Sequence, residues 1–283
     1  MPDSTRLGPA TLILIAALAW PWGGLWAGEP PLFDGHIHYN RDAWEAIGPT
    51  DALARLSAAG IERAVVSSTP TEGTERLYEL APERIVPLLR PYRSPADRRD
   101  WFADPELAQR LRTRLDAFPY AGIGEFHVFG SNASTAPMAA MIALARERGL
   151  FLQAHADTEA IRRILAQAPD VTLIWAHAGF DVPLETLSDL LDRHPRLYLE
   201  LSFRNDVAPL GRLSEGWRQL FLRHPDRILV GMDTYIPSRW AELNQLADDA
   251  RGWLAQLPPD VAQAVAFENG EALLSGWRPQ GRE

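Results

Sequence analysis

From residue 32 to the C-terminus, short apolar runs rich in Val, Ile and Leu alternate with amphipathic stretches. The runs fall at 32–33, 64–66, 85–89, 122–124, 151–152, 171–175, 197–201 and 228–230. Between them, helical periodicity marks 51–59, 105–118, 137–148, 158–167, 184–193, 213–223 and 243–257. Gly60 and Gly149 sit where two of these stretches end, as helix C-caps do. This alternation is the signature of a parallel sheet with crossover helices. Eight strands in roughly 250 residues predict a single (β/α)8 TIM barrel over 28–283, with its chemistry at the C-terminal strand ends. A doubly wound open sheet would want a glycine-rich phosphate turn after an early strand, and neither GxGxxG nor GxxxxGK[ST] occurs. The polar stretch 91–105 reads as a loop over the barrel mouth.

The first 27 residues follow a different plan. Arg6 precedes the apolar run 11–20, Pro21-Trp22-Gly23-Gly24 interrupts it, and Ala27-Gly28 closes it with small residues. That order predicts a signal peptide and a periplasmic or secreted protein. An uncleaved leader anchoring the chain to a membrane is the alternative. The run breaks well short of the roughly 20 apolar residues a spanning helix needs, so no stable span is expected after cleavage.

Composition narrows the chemistry. The chain has no cysteine, which excludes a disulfide scaffold, a thiolate zinc site and a cysteine nucleophile. Any metal must be held by His and carboxylates. Twenty-eight Lys and Arg against 37 Asp and Glu give a formal charge of −9, with no basic stripe, so duplex nucleic acid is an unsuitable partner and a small molecule the expected one.

Four of the seven histidines stand where an apolar run stops. His36 and His38 follow the first run in Phe33-Asp34-Gly35-His36-Ile37-His38, His155 follows the fifth, and His177 the sixth. Glu125 after the fourth and Asp233 after the eighth occupy equivalent places. Residues i and i+2 of a strand share a face, so His36 and His38 can bind one ion together. Barrel strand ends converge on one mouth, which lets all six meet. Such a nitrogen and oxygen donor set suits Zn best, with Mn, Fe or Ni also accommodated. His194 and His224, each ending a helical stretch before a proline, read instead as C-capping residues at the opposite end of the barrel. His127, two residues beyond Glu125, is a candidate contact to a ligand or to the substrate. Arg90, Arg93 and Arg204 are candidates for binding a substrate carboxylate or phosphate, with surface solvation or pairing to Asp97 or Asp206 as the alternative.

The set resembles the metal-dependent amidohydrolase superfamily. Phe33 to His38, Trp175-Ala176-His177-Ala178-Gly179 and Gly231-Met232-Asp233 are most similar to its amidohydrolase-related branch, which also contains decarboxylases. Gly122-Ile123-Gly124-Glu125 is similar to the TatD-type hydrolases. The resemblance implies one or two divalent ions and hydrolysis of an ester, lactone, amide or phosphoester bond. It implies that His36, His38 and Asp233 bind one ion, and that His155 completes that site or joins His177 at a second. Superfamily members often carry a carboxylated lysine on the fourth strand; here Glu125 stands there, able to bridge two ions or bind one. A buried carboxylate facing His155 and His177 would need a cation to balance it, which favours two ions.

A divalent ion lowers the pKa of the water it binds from near 16 toward roughly 7. In this reading Asp233 takes the water's proton and later passes it to the leaving group, while His177 polarises the scissile carbonyl or binds the second ion. Two further readings are a metal-dependent decarboxylase and an exported metal-binding module without turnover. The module would require a lost catalytic group, and none of the six is missing.

Overall fold

A computed structural model describes residues 30–277, so the leader assigned to 1–27 lies outside the described residues. Eight strands form one sheet in the order of the chain: β1 (Leu32–His38), β2 (Ile61–Ser67), β3 (Ile85–Leu89), β4 (Gly122–Val128), β5 (Phe151–Ala156), β6 (Leu173–Trp175), β7 (Leu197–Glu200) and β8 (Ile228–Leu229). Every neighbouring pair from β1–β2 to β7–β8 is parallel. Backbone hydrogen bonds from Gly35 N–H to Val230 O (2.8 Å) and from Asp233 N–H to His36 O (2.7 Å) bring the end of the sheet back to its beginning. This is the expected (β/α)8 barrel.

The crossover helices form for local reasons the sequence states. In Thr158–Gln167, Asp157 caps the first turn by accepting from Ala160 N–H at 2.8 Å. Ala160, Ile161, Ile164 and Leu165 then give the i, i+3, i+4 stripe that is buried against the sheet. Ala136–Arg148 ends at Gly149, whose φ of 66° is the left-handed conformation that a C-terminal glycine adopts without a Cβ penalty. The helix Glu72–Leu80 adds to the expected ones, with Leu77 and Tyr78 on its buried face.

Two hydrophobic clusters result. The larger lies between the outer face of the sheet and the helices. A smaller one, with Phe33, Val65, Leu88, Phe151, Ile174 and Leu229, fills the barrel floor and is covered by Leu274 and Trp277. This leaves the opposite end for polar groups. The stretch 91–105 does run over that end, as two 3-10 turns, Pro95–Arg99 and Trp101–Ala103, pinned by Trp101 Nε1–H donating to His127 O at 2.9 Å. His194 and His224 cap Leu184–Arg193 and Glu215–Arg223, just before β7 and β8. No helix among the described residues is long and apolar enough to cross a membrane.

Candidate metal centre

β1 pairs with β2 through a register shift between Asp34 and Ile37, and above it His36 and His38 stand buried at the strand end. Their Nε2 atoms face each other at 3.1 Å. The opposite ring nitrogens are committed elsewhere. His36 Nδ1–H donates to Glu200 Oε2 at 2.7 Å, and His38 Nδ1–H donates to Ser67 O at 2.9 Å. A carboxylate and a carbonyl only accept, so both protons sit on Nδ1 in the neutral rings and both Nε2 lone pairs point inward.

Asp233 completes this centre. Its Oδ1 lies 3.4 Å from His38 Nε2 and 3.8 Å from His36 Nε2, is buried, and has no hydrogen-bond partner. Ligand-type atoms of His36, His38 and Asp233 all lie within 4.8 Å of one another. Three acceptors without a proton to share are an electrostatic misfit unless a cation lies among them, and a divalent ion satisfies all three. The residues present therefore fit the group. Around His36, Asp233, Glu200 and Glu125 outweigh the effect of burial and push its pKa well above the ordinary imidazole range, as carboxylates crowded about one ring do.

The other candidates surround this point. Glu125 on β4 places Oε2 3.3 Å from His38 Nε2 and Oε1 3.7 Å from His36 Nε2. His155 Nδ1 on β5 is 3.0 Å from Glu125 Oε1, and His177 Nε2, just past β6, is 3.6 Å from the same atom and 4.0 Å from Asp233 Oδ2. His177 Nδ1 meets Ser202 Oγ at 2.8 Å. His177 and Asp233 have φ of 58° and 45°, left-handed values for non-glycine residues. Each costs of order 1–3 kcal/mol and persists where the surroundings over-determine it. Here Glu200 Oε2 accepts from His177 N–H, and His36 O from Asp233 N–H.

Glu200 was not singled out in the sequence. It accepts from His36 Nδ1, His177 N–H and the Ser202 hydroxyl, and is fully buried. Burial alone would raise its pKa, but the charge and hydrogen bond of His36, with His177 and the Ser202 N–H, bring it to about 2. Its space exists because position 231 is glycine: a Cβ there would sit 1.9 Å from Glu200 Oε1. Asp34 is likewise buried, and burial lifts its pKa to about 8 despite bonds from His36 N–H and Met232 N–H. Glu200 lies inside the run 197–201 and Asp34 directly follows the run 32–33, and only a charge set so close to apolar residues could have flagged them.

The arginine candidates are already engaged. Arg90 donates from Nη2 to Glu125 Oε2 at 2.6 Å, from Nε to Glu125 O and from Nη1 to Thr69 Oγ1. Arg204 holds Asp206 with two bonds and the Ala178 and Val182 carbonyls with two more. Arg93 pairs with Asp97 and its side chain is 68% exposed. His127 stacks on His155 with ring centroids 4.1 Å apart, and burial drives its pKa down to about 2, so the ring is neutral.

A (β/α)8 barrel whose strand ends gather three or more metal-type ligands beside a second carboxylate is a metal-dependent hydrolase scaffold. The amidohydrolase family matches residues 33–275 of the sequence. The chain belongs to that family and is an enzyme of the metal-dependent hydrolase class. No curated protein matches the chain by sequence. Among solved structures it is similar to an amidohydrolase from Burkholderia multivorans with bound zinc, at 15% identity and a TM-score of 0.54, covering 86% of this chain and 98% of that one. It is also similar to a putative 2-pyrone-4,6-dicarboxylic acid hydrolase from Pseudomonas putida, at 15% identity and a TM-score of 0.60, over 86% and 97%. A TatD homologue from Escherichia coli aligns at 16% identity and a TM-score of 0.59, again over 86% and 97%.

Proposed function

We propose that this chain is an exported hydrolase acting on an ester, lactone, amide or phosphoester bond of a small molecule, with a divalent ion, zinc foremost, held by His36, His38 and Asp233. Glu125, His155 and His177 flank that ion. The observation that carries this reading is the pair of Nε2 atoms 3.1 Å apart whose Nδ1 protons are both given to other acceptors.

A divalent ion at this point supplies a Lewis acid for the scissile group and lowers the pKa of water. The remaining work falls to the side chains. Asp233 is the base: a carboxylate at the edge of the centre can take a proton at one oxygen, hold it, and deliver it to the leaving oxygen or nitrogen. His177 keeps a proton on Nδ1 toward Ser202, so its Nε2 accepts when the ring is neutral and donates to the substrate's carbonyl oxygen when the ring is doubly protonated. Phe180, stacked on His177 at 4.3 Å, gives the reacting region an apolar face.

The test is chelator treatment followed by return of Zn, Mn, Fe or Ni singly, with an ester, lactone, amide and phosphoester panel assayed for bond cleavage and for CO2. Activity lost on chelation and restored by one metal with no CO2 supports hydrolysis. CO2 release without water consumption moves the enzyme to the decarboxylase class. Activity indifferent to chelation defeats the metal role. Export is checked by the intact mass of periplasmic material, which should lack 19 to 28 N-terminal residues; retention of Met1 rules out cleavage.

A further inference from the structure

The candidate centre opens into a cavity of 390 Å³ whose wall includes Asn40, Arg90, Arg98, Phe180, Phe203 and Tyr235. Its two sides differ in chemistry. Arg90 and Arg98 come from the segment after β3, whereas Phe180, Phe203 and Tyr235 follow β6, β7 and β8 on the other half of the barrel. Phe180 and Tyr235 are 42% and 46% exposed, so both rings offer apolar surface to the cavity.

The cations near the mouth are not equivalent. Arg90 spends its donors on Glu125 and Thr69, as described. Arg239 donates to the Met232 and Asp233 carbonyls and lays its face on Phe203, 4.3 Å from the ring centroid. Arg98 is different: its side chain is exposed and makes no hydrogen bond, ion pair or ring contact with any described residue. It is nonetheless placed by its surroundings, since Asp97 beside it accepts from Arg93 N–H, Arg93 Nε–H and the Ser94 hydroxyl and so fixes the turn Pro95–Arg99. A guanidinium offers five donors in a planar fork that matches a carboxylate or phosphate with two parallel bonds. In a chain of net charge −9, this fork alone among the arginines of the cavity keeps all five donors uncommitted.

We propose that Arg98 determines substrate specificity: it takes the carboxylate or phosphate of a small organic anion whose apolar part lies against Phe180, Phe203 and Tyr235. The proposal rests on the hydrolase reading for the fate of that substrate, but its binding step stands apart from turnover.

The test therefore reads binding first. Full-length protein freed of metal is titrated calorimetrically with benzoate, phenylphosphonate and the uncharged benzamide, for wild type, Arg98→Gln and Arg98→Lys. Wild type should bind at least one anion about tenfold or more tightly than benzamide, the scale of a charge-assisted bond. Arg98→Gln should remove that preference, and Arg98→Lys should keep part of it. Whichever anion is favoured names the group as carboxylate or phosphate. Equal binding of anions and benzamide by wild type overturns the proposal, and so does an anion preference that survives in Arg98→Gln. In metal-loaded protein, paired esters with and without a distant carboxylate should differ in kcat/KM, mainly through KM, with the ratio falling toward one in Arg98→Gln. Absence of turnover on every ester counts against the hydrolase reading and leaves the binding result to stand, whereas turnover without that ratio counts against Arg98.

Discussion

Glu200 Oε2 lies 2.7 Å from His36 Nδ1, both groups fully buried, so one carboxylate fixes the tautomer and the ring orientation of a histidine whose other nitrogen faces the candidate ion. Such partners commonly carry a tenfold to hundredfold effect on metal affinity. Glu200→Gln should therefore lower zinc affinity by about 10- to 100-fold in a chelator competition. The amide remains nearly isosteric and can still accept from His36 through its oxygen, so the melting temperature of the metal-free protein should change little by comparison. Unaltered zinc affinity would show that His36 is oriented by packing alone.

Asp233 has a left-handed backbone and a buried oxygen without a partner, two costs concentrated on one residue. Asp233→Asn keeps an oxygen for the ion but loses the base. Turnover should drop at least about a hundredfold while most of the metal is retained. Loss of metal would recast Asp233 as a ligand alone, and undiminished turnover would remove it from the reaction.

Much of this site could be read from the sequence because each candidate ligand ends an apolar run. The barrel brings those ends together whatever the loops do, so His36, His38, Glu125, His155, His177 and Asp233 met as spacing implied. Strand lengths were harder. β1 continues through Asp34, Gly35 and His36, and β4 through Glu125 to Val128, because a polar residue inside the barrel is buried by the fold rather than by its own hydrophobicity. The same blindness hid Glu200 within the seventh run. Partners of arginines were out of reach for a different reason: Arg90 finds Glu125 thirty-five positions away, a pairing set by the adjacency of β3 and β4. From the sequence Arg98 reads only as half of the isolated basic pair Arg98-Arg99, because its surplus of donors is visible only once its neighbours are placed.

His224 offers a pH test away from the site. It is the C-cap residue of Glu215–Arg223, its backbone N–H donating to Leu220 O, and its buried ring has Nε2 3.2 Å from Ser188 Oγ. Burial lowers its pKa below the ordinary 6.5, with Asp192 opposing and Arg227 assisting. The unfolded chain then binds the proton more readily than the folded one. Its contribution to stability is complete above 6.5 and is lost as pH falls through the lower folded value. Melting temperatures at about pH 7.5 and about pH 5 should fall less on acidification in His224→Gln than in wild type, even though the variant starts lower. Parallel declines would mean that His224 takes up its proton without penalty.

The number of ions turns on Glu125 and Arg90. The case for two ions held that a buried carboxylate facing His155 and His177 needs a cation for balance. The Arg90 guanidinium, 2.6 Å from Glu125 Oε2 and itself buried, is that cation. Burial would raise the Glu125 pKa, but His36, His127 and the neighbouring His155 and His177 hold it well below the carboxylate range, so it stays charged beside Arg90. With its charge already met, Glu125 has no electrostatic need of a second ion. His36, His38 and Asp233 form a compact set that is buried throughout, whereas the set of Glu125, His127 and His155 is only partly buried and its His155 Nδ1 is occupied with Glu125 Oε1. Metal-loaded and desalted wild type should therefore hold about one ion per chain, the capacity of a single His and carboxylate site. Glu125→Gln should leave that ratio unchanged while releasing Arg90 and lowering turnover. Elemental analysis of both proteins decides the matter, since a ratio near two in wild type that falls in the variant would restore Glu125 as a bridge between ions.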